Sequence, residues 1–375
     1  LGGSFVFINY DELFNTGETA DETRVIIDED EFVIDKKIIF EDDEIFVPYH
    51  IVEKYISENV RLTKNKGKIL IKVKELNFSL ETQELTDFVK DADIEISVFT
   101  KKVGEEVYVP LMSLQRLFGL DVNFDTTKNV LTIDKFGDKF RKGFVIVDQG
   151  FLYKENNKNS DKVRKLVRQE EIRILSEEDE WFLIRTDNGD KGYIAKNIIE
   201  EYGYKHLPVN IVRDPINKDD RINITWEYVY DRTLDIESQD KIEGLDVLAP
   251  TWYSVRAKGD IFNKGDFKYV RTAHEKGYMV WGMVDNSFDP KLTNIFLKSE
   301  KLSNMIIAQI VMYTSLHDLD GINIDFENVY YEDKDRLVEF VEVLTGYLKQ
   351  QGVVVSMDLT VPGGSKRWSL VYDRE

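Results

Sequence analysis

The sequence predicts a multidomain chain, α+β and all-β in its first half and α/β in its last 155 residues. Three observations carry this. A strand-Pro-helix motif occurs twice before residue 135, a run of short strands with an Asn-Gly turn follows, and from residue 221 apolar strands alternate with amphipathic helices. A length of 375 residues is too long for one ordinary core. With 42% apolar residues, 22 Phe and 18 Tyr, most of the chain has enough apolar material to fold.

The first element is the repeat. Glu44-Ile45-Phe46-Val47-Pro48 returns as Glu106-Val107-Tyr108-Val109-Pro110. Each copy continues into a short helical pattern (Ile51, Val52, Tyr55, Ile56; Leu114, Leu117, Phe118) and closes on a strand, residues 67–71 and 129–133. Proline suits the junction, because its fixed φ fits a first helical turn and it has no N–H for a ladder. Such repeats mark duplicated units sharing a core. The stretch resembles the duplicated domain at the N-terminus of copper amine oxidases and of many exported bacterial wall proteins. The resemblance implies a domain over 1–137 that binds no copper and serves as scaffold or wall contact.

The next element, 138–202, reads as a small β-barrel. Its strands are 144–147, 163–166, 172–175 and 181–185, then a turn at Asp187-Asn188-Gly189 that supplies positive φ, then Gly192-Tyr193-Ile194. The run from Trp181 to Ile194 is similar to the end of a bacterial Src-homology-3-like domain. Trp181 and Tyr193 suit either a peptide-binding aromatic face or, more commonly, core and amphipathic surface. Residues 203–220, with Pro208 and Pro215, read as a linker.

From 221 to 375 the pattern is that of a parallel sheet. The expected strands are 222–226, 245–249, 279–284, 321–326 and 353–359, with helices near 231–243, 266–276, 291–317 and 333–350. Five units in 155 residues give roughly the 31 residues per unit of a (β/α)8 barrel, about 250 residues over eight units. By length alone, an open doubly wound sheet fits equally well.

The chemistry lies in Asp320-Gly321-Ile322-Asn323-Ile324-Asp325-Phe326-Glu327. Successive side chains on a strand point to opposite faces, so Ile322, Ile324 and Phe326 face the helices while Asn323, Asp325 and Glu327 face the other way. A strand covered on both faces is normally apolar throughout, and unpaired polar groups there cost several kcal/mol. An active site at the C-terminal mouth of a barrel justifies them.

The segment resembles the fourth-strand signature of glycoside hydrolase family 18, Asp-Gly-x-Asp-x-Asp-x-Glu, at every defined position but one, where Asn323 replaces Asp. The resemblance implies a TIM barrel of which 221–375 holds the first five βα units, with later active-site elements beyond residue 375. It implies that Glu327 protonates the glycosidic oxygen. Asp325 then holds the substrate's 2-acetamido group, whose own carbonyl oxygen attacks the anomeric carbon, and no cofactor is needed. Nearby negative charge and partial burial are expected to raise the proton affinity of Glu327, and Asn323 to donate to Asp325. Trp252 and Trp281, near strand ends, are candidates for stacking on sugar rings. Asp320 is a candidate substrate contact that reads better as a turn cap.

Composition narrows the partners. A net charge of −20 repels phosphate backbones and argues against nucleic acid. With no Cys, disulfides and thiolate metal sites are excluded, and His50, His206, His274 and His317 show no ligand spacing. No stretch approaches the roughly 18–20 apolar residues of a membrane span. The apolar start at residues 1–8 is either an ordinary first strand or the tail of a removed leader. The leading expectation is a glycosidase acting on peptidoglycan, spore cortex included, or chitin, outside the cell or in the wall. The rivals are a non-catalytic glycan-binding protein and a wall-anchoring scaffold.

Overall fold

The computed structural model describes residues 22–136, 141–202, 221–366 and 370–372. The apolar start at 1–8 and the 203–220 linker lie outside them.

The two copies of the N-terminal repeat meet at their shared motif. Strands Glu44–Pro48 and Glu106–Pro110 pair antiparallel, Val47 opposite Val109. Each proline ends its strand and stands at the N-cap of a helix. In the first copy this is a short helix at Tyr49–Ile51 that widens to a π turn at Val52–Ile56; in the second it is the helix Leu111–Phe118. The closing strands are Lys68–Lys72 and Val130–Lys135, each in its own small sheet.

The small β region forms one seven-stranded antiparallel sheet with its own core, including Leu152, Ile172 and Ile184. Asp187-Asn188-Gly189 makes the turn, with Gly189 at φ +83° and its N–H donating to Thr186 O. Strands Gly150–Tyr153 and Ile199–Tyr202 join those expected from sequence. Tyr153, Trp181 and Tyr193 are half-exposed, and Tyr153 packs edge-on against Trp181. Buried Asp134 of the repeat domain lies between Arg173 and Arg185 of this sheet and ties the two regions together.

The last region is built on five parallel strands, β1 (Ile224–Glu227), β2 (Val247–Pro250), β3 (Met279–Asp285), β4 (Gly321–Asp325) and β5 (Val354–Met357). They lie side by side in chain order. A hairpin, Tyr253–Val255 with Ile261–Asn263, extends from β2 and also pairs with β3. Helices α1 (Phe267–Glu275), α2 (Pro290–Leu297), α3 (Glu300–Leu316) and α4 (Lys334–Gln350) connect the later strands.

Two helical expectations are corrected. No helix forms over 231–243. Tertiary partners satisfy that backbone instead: Leu234 N–H donates to Glu227, Ile242 N–H to the Tyr278 hydroxyl, and Lys276 to the carbonyls of Glu237 and Gln239. The apolar spacing there is not a buried face, since Leu234 and Ile242 are exposed. The single helix over 291–317 divides at Ser299, whose side chain caps α3 through Leu302 N–H.

In α3, every residue from Ile306 to Thr314 is buried. A helix apolar on all sides needs cover on all sides. The parallel sheet covers one side and the repeat domain the other. Tyr313 OH accepts from Ser97 N–H at 2.8 Å, Asn263 donates to Ser97 O at 2.7 Å, and Phe88 stacks on Tyr347 of α4 at 4.0 Å. The repeat domain and the parallel-sheet region therefore share one continuous core. Among the described residues no helix is long and apolar enough to cross a membrane.

Candidate active site

Parallel pairing fixes which residues share a face. Asn323 lies beside Met283 and Ser356, and Asp325 beside Asp285. On the opposite face, Ile322, Ile324 and Phe326 are buried, with Phe326 packed against Phe296 of α2 and Phe340 of α4. The polar face of β4 therefore points away from the helices.

At the C-terminal ends of three adjacent strands, four carboxylates converge. Asp325 ends β4 and Glu327 lies just beyond it, Asp285 ends β3, and Asp358 lies just beyond β5. Asp285 accepts from Ser254 Oγ at 2.6 Å and from Ser287 N–H at 2.7 Å. Burial first, then the charges of Glu327, Asp358 and Asp285, push the Asp325 carboxyl up to about 7. Asp325 thus faces three acids of its own sign from its own and the two neighbouring strands.

Asn323 is buried and does not engage Asp325. Its Nδ2 donates to Asp358 at 2.9 Å and its Oδ1 accepts from Ser356 Oγ at 2.6 Å. The register across to β5 decides this, which a single strand cannot reveal. Asp358 and Asp285 were absent from the sequence-derived candidates. The available signal was an Asp at or directly beside the end of the predicted strands 279–284 and 353–359.

The remaining candidates do not join this group. Asp320 stands at the start of β4, seven residues of extended chain or roughly 23 Å from Glu327. Its carboxylate accepts from His274 Nε2 and Val280 N–H, both at 2.8 Å. Trp252 is fully buried among Tyr253, Tyr269 and His317, with Nε1–H donating to Thr233, so it offers no ring face to a sugar. Trp281 faces the same way as Asn323 but lies two residues deeper, 6% exposed, over Gly321. A Cβ on Gly321 would stand 2.5 Å from the indole, so glycine there is what admits the ring.

One buried residue was missed entirely. Asn286, directly after β3, holds the backbone of Glu327 at both its N–H and its C=O. Further along, Tyr372 OH donates to Phe326 O at 2.6 Å. Tyr372 lies in a bend and is buried.

Comparison with known proteins finds two family models in the first half of the chain and distant similarity to sugar-cleaving enzymes. Residues 26–133 match the family model of the copper amine oxidase N-terminal domain, and residues 148–200 that of the bacterial SH3 domain. An uncharacterized glycosylase, YvbX of Bacillus subtilis (strain 168), is 21% identical over 138 residues, 34% of this chain and 40% of YvbX. Among solved structures, the spore cortex-lytic enzyme SleL of Bacillus megaterium QM B1551 aligns with a TM-score of 0.37 at 16% identity. That alignment covers 40% of this chain and 38% of SleL. A class V chitinase from Pseudomonas fluorescens Pf-5 aligns with a TM-score of 0.32 at 19% identity, covering 34% and 42%. The chain thus spans about two-fifths of the length of these relatives.

Proposed function

We propose that this chain carries the acid of a glycoside hydrolase that cleaves β-linked N-acetylglucosamine in peptidoglycan, including spore cortex, or in chitin. The observation that carries the reading is the convergence of Asp325, Glu327, Asp285 and Asp358 at the C-terminal ends of β3, β4 and β5, on the face away from the helices. That end of a parallel α/β sheet is where such folds place their chemistry. Strands in strict chain order, with no reversal, favour the first part of a (β/α)8 barrel over a doubly wound sheet, which needs a switch point.

In this mechanism Glu327 gives its proton to the glycosidic oxygen as the bond to the anomeric carbon breaks. The substrate's acetamido oxygen attacks that carbon and water later opens the ring so formed, with net retention. Positive charge builds on the acetamido N–H, and Asp325 faces it. A carboxyl with its midpoint near 7 crosses between neutral and ionised forms at little cost. The ionised form, about half the population near pH 7, is the one that faces the developing charge. Asn323, locked to Ser356 and Asp358, forms the floor beneath. The two domain types upstream, which resemble those of exported bacterial wall proteins, support a role outside the cell, in the wall or associated with the spore.

The test is release of reducing ends from a GlcNAc oligomer by the natural full-length protein. Glu327→Gln keeps the shape of the side chain but has no proton to give. Hydrolysis should fall about 10²–10⁴-fold with oligomer binding retained. A drop confined to about tenfold contradicts the role given to Glu327, since general acid catalysis is worth more than that. Wild-type binding without turnover selects the glycan-binding alternative.

A further inference from the structure

We infer that Asn286 is a positioning residue for the acid, a side-chain amide that substitutes for one rung of the β3–β4 ladder and sets where Glu327 stands. The inference rests on the glycosidase reading of Glu327 and adds a residue to it.

The ladder between β3 and β4 ends at the pair Asp285 and Asp325. Beyond it the two chains diverge. Ser287 and Phe288 both take left-handed backbone, φ +55° and +51°, which is rare for any residue other than glycine and strained for a bulky one. The backbone of the β3 side therefore turns away where Glu327 needs its next partner. The Asn286 side chain fills the place of the missing peptide unit. Its Oδ1 accepts from Glu327 N–H at 3.1 Å and its Nδ2 donates to Glu327 O at 2.8 Å.

The amide is saturated. Nδ2 also donates to Thr293 Oγ1 at 2.8 Å, and Oδ1 also accepts from Phe288 N–H at 3.2 Å, so both protons and both lone pairs are used. Asn286 is fully buried, and a saturated buried amide has one orientation. Asn328 adds a second tie across the same gap, its Nδ2 donating to Phe288 O at 3.0 Å. Leucine would fill the volume without any of these bonds. Aspartate would keep the acceptor but set an oxygen against the Glu327 carbonyl. The arrangement needs an amide.

The experiment compares Asn286→Leu, Asn286→Asp and Glu327→Gln with wild type in the natural full-length protein. The readouts are kcat, KM, melting temperature and amide hydrogen exchange at Glu327. Misplacing the acid by a fraction of an ångström should cost about 30–100-fold in kcat with KM within about threefold, since substrate contacts are intact. Exchange at the Glu327 amide should quicken about tenfold or more in Asn286→Leu. Asn286→Asp, equal in size, serves if the leucine variant does not fold. A folded Asn286→Asp or Asn286→Leu with wild-type kcat overturns the inference, whatever its melting temperature. Loss of activity in Glu327→Gln beside full activity in the Asn286 variants confines the failure to this inference. Wild-type activity in Glu327→Gln overturns the glycosidase reading and this inference together.

Discussion

The two ends of β4 both carry acids and are built in opposite ways. At its start, Asp320 accepts from a histidine and from a backbone N–H of the neighbouring strand, so its charge has partners. At its far end, the charges acting on Asp325 are Glu327, Asp358 and Asp285, every one of the same sign. A fold gains from the first arrangement and loses from the second. On the proposed function, the satisfied end serves stability, and the end held against its own electrostatics carries the chemistry. A cavity of about 460 Å³, lined by Arg116, Arg271, His274 and Asp318, opens where the repeat domain meets α1 and α3. It shares no residue with the carboxylate group.

The contrast breaks most visibly at Asp325. Asp325→Asn in the natural full-length protein should lower kcat on a GlcNAc oligomer about 100-fold, because the amide cannot take up negative charge opposite the acetamido group. A variant within about threefold of wild type would remove Asp325 from the mechanism. The opposite end should respond in the opposite currency. Asp320→Ala should cost about 1–3 kcal/mol of stability, since Val280 N–H and His274 lose an acceptor, while kcat/KM stays near wild type. A melt unchanged beside a collapsed rate would invert the comparison.

A pH series sharpens it further. The Asp325 carboxyl rises from 3.8 to about 7 on folding. Between those values the folded chain keeps a proton that the unfolded chain has released, so stability falls as pH rises through that window. Asp325→Asn lacks this dependence. From pH 5 to pH 8 the wild type should lose about 1–2 kcal/mol relative to the variant, a figure already reduced for the partial exposure of the group. Thermal melts at the two pH values measure it, and parallel behaviour would show that the acids at this end do not repel as described.

The smallest effect is expected at Asn323. Asn323→Asp sets a carboxylate at hydrogen-bond distance from Asp358, and the two would share a proton as one coupled pair. The extra acid should move the alkaline limb of the kcat/KM profile upward by about one pH unit or less, reaching the reaction through Asp358. Superimposable profiles would mean that the floor of the site is electrically silent.

Much of this was legible in the chain alone because it depends on local periodicity. Alternation along 320–327 assigns Phe326 to one face and Asp325 to the other whatever surrounds them, since the backbone repeats every two residues. Pro48 and Pro110 mark strand-to-helix junctions for an equally local reason. Tertiary structure decided everything that depends on a second strand. The register between β4 and β5 turned Asn323 toward Asp358, and that between β3 and β4 brought Asp285 beside Asp325. Packing sealed Trp252 beneath Tyr269 and His317, and hydrogen bonds from distant side chains removed the helix expected at 231–243. Asn286 is the clearest case. Nothing in its own neighbourhood marks it, because its partner lies 41 residues away and meets it only when two strands align.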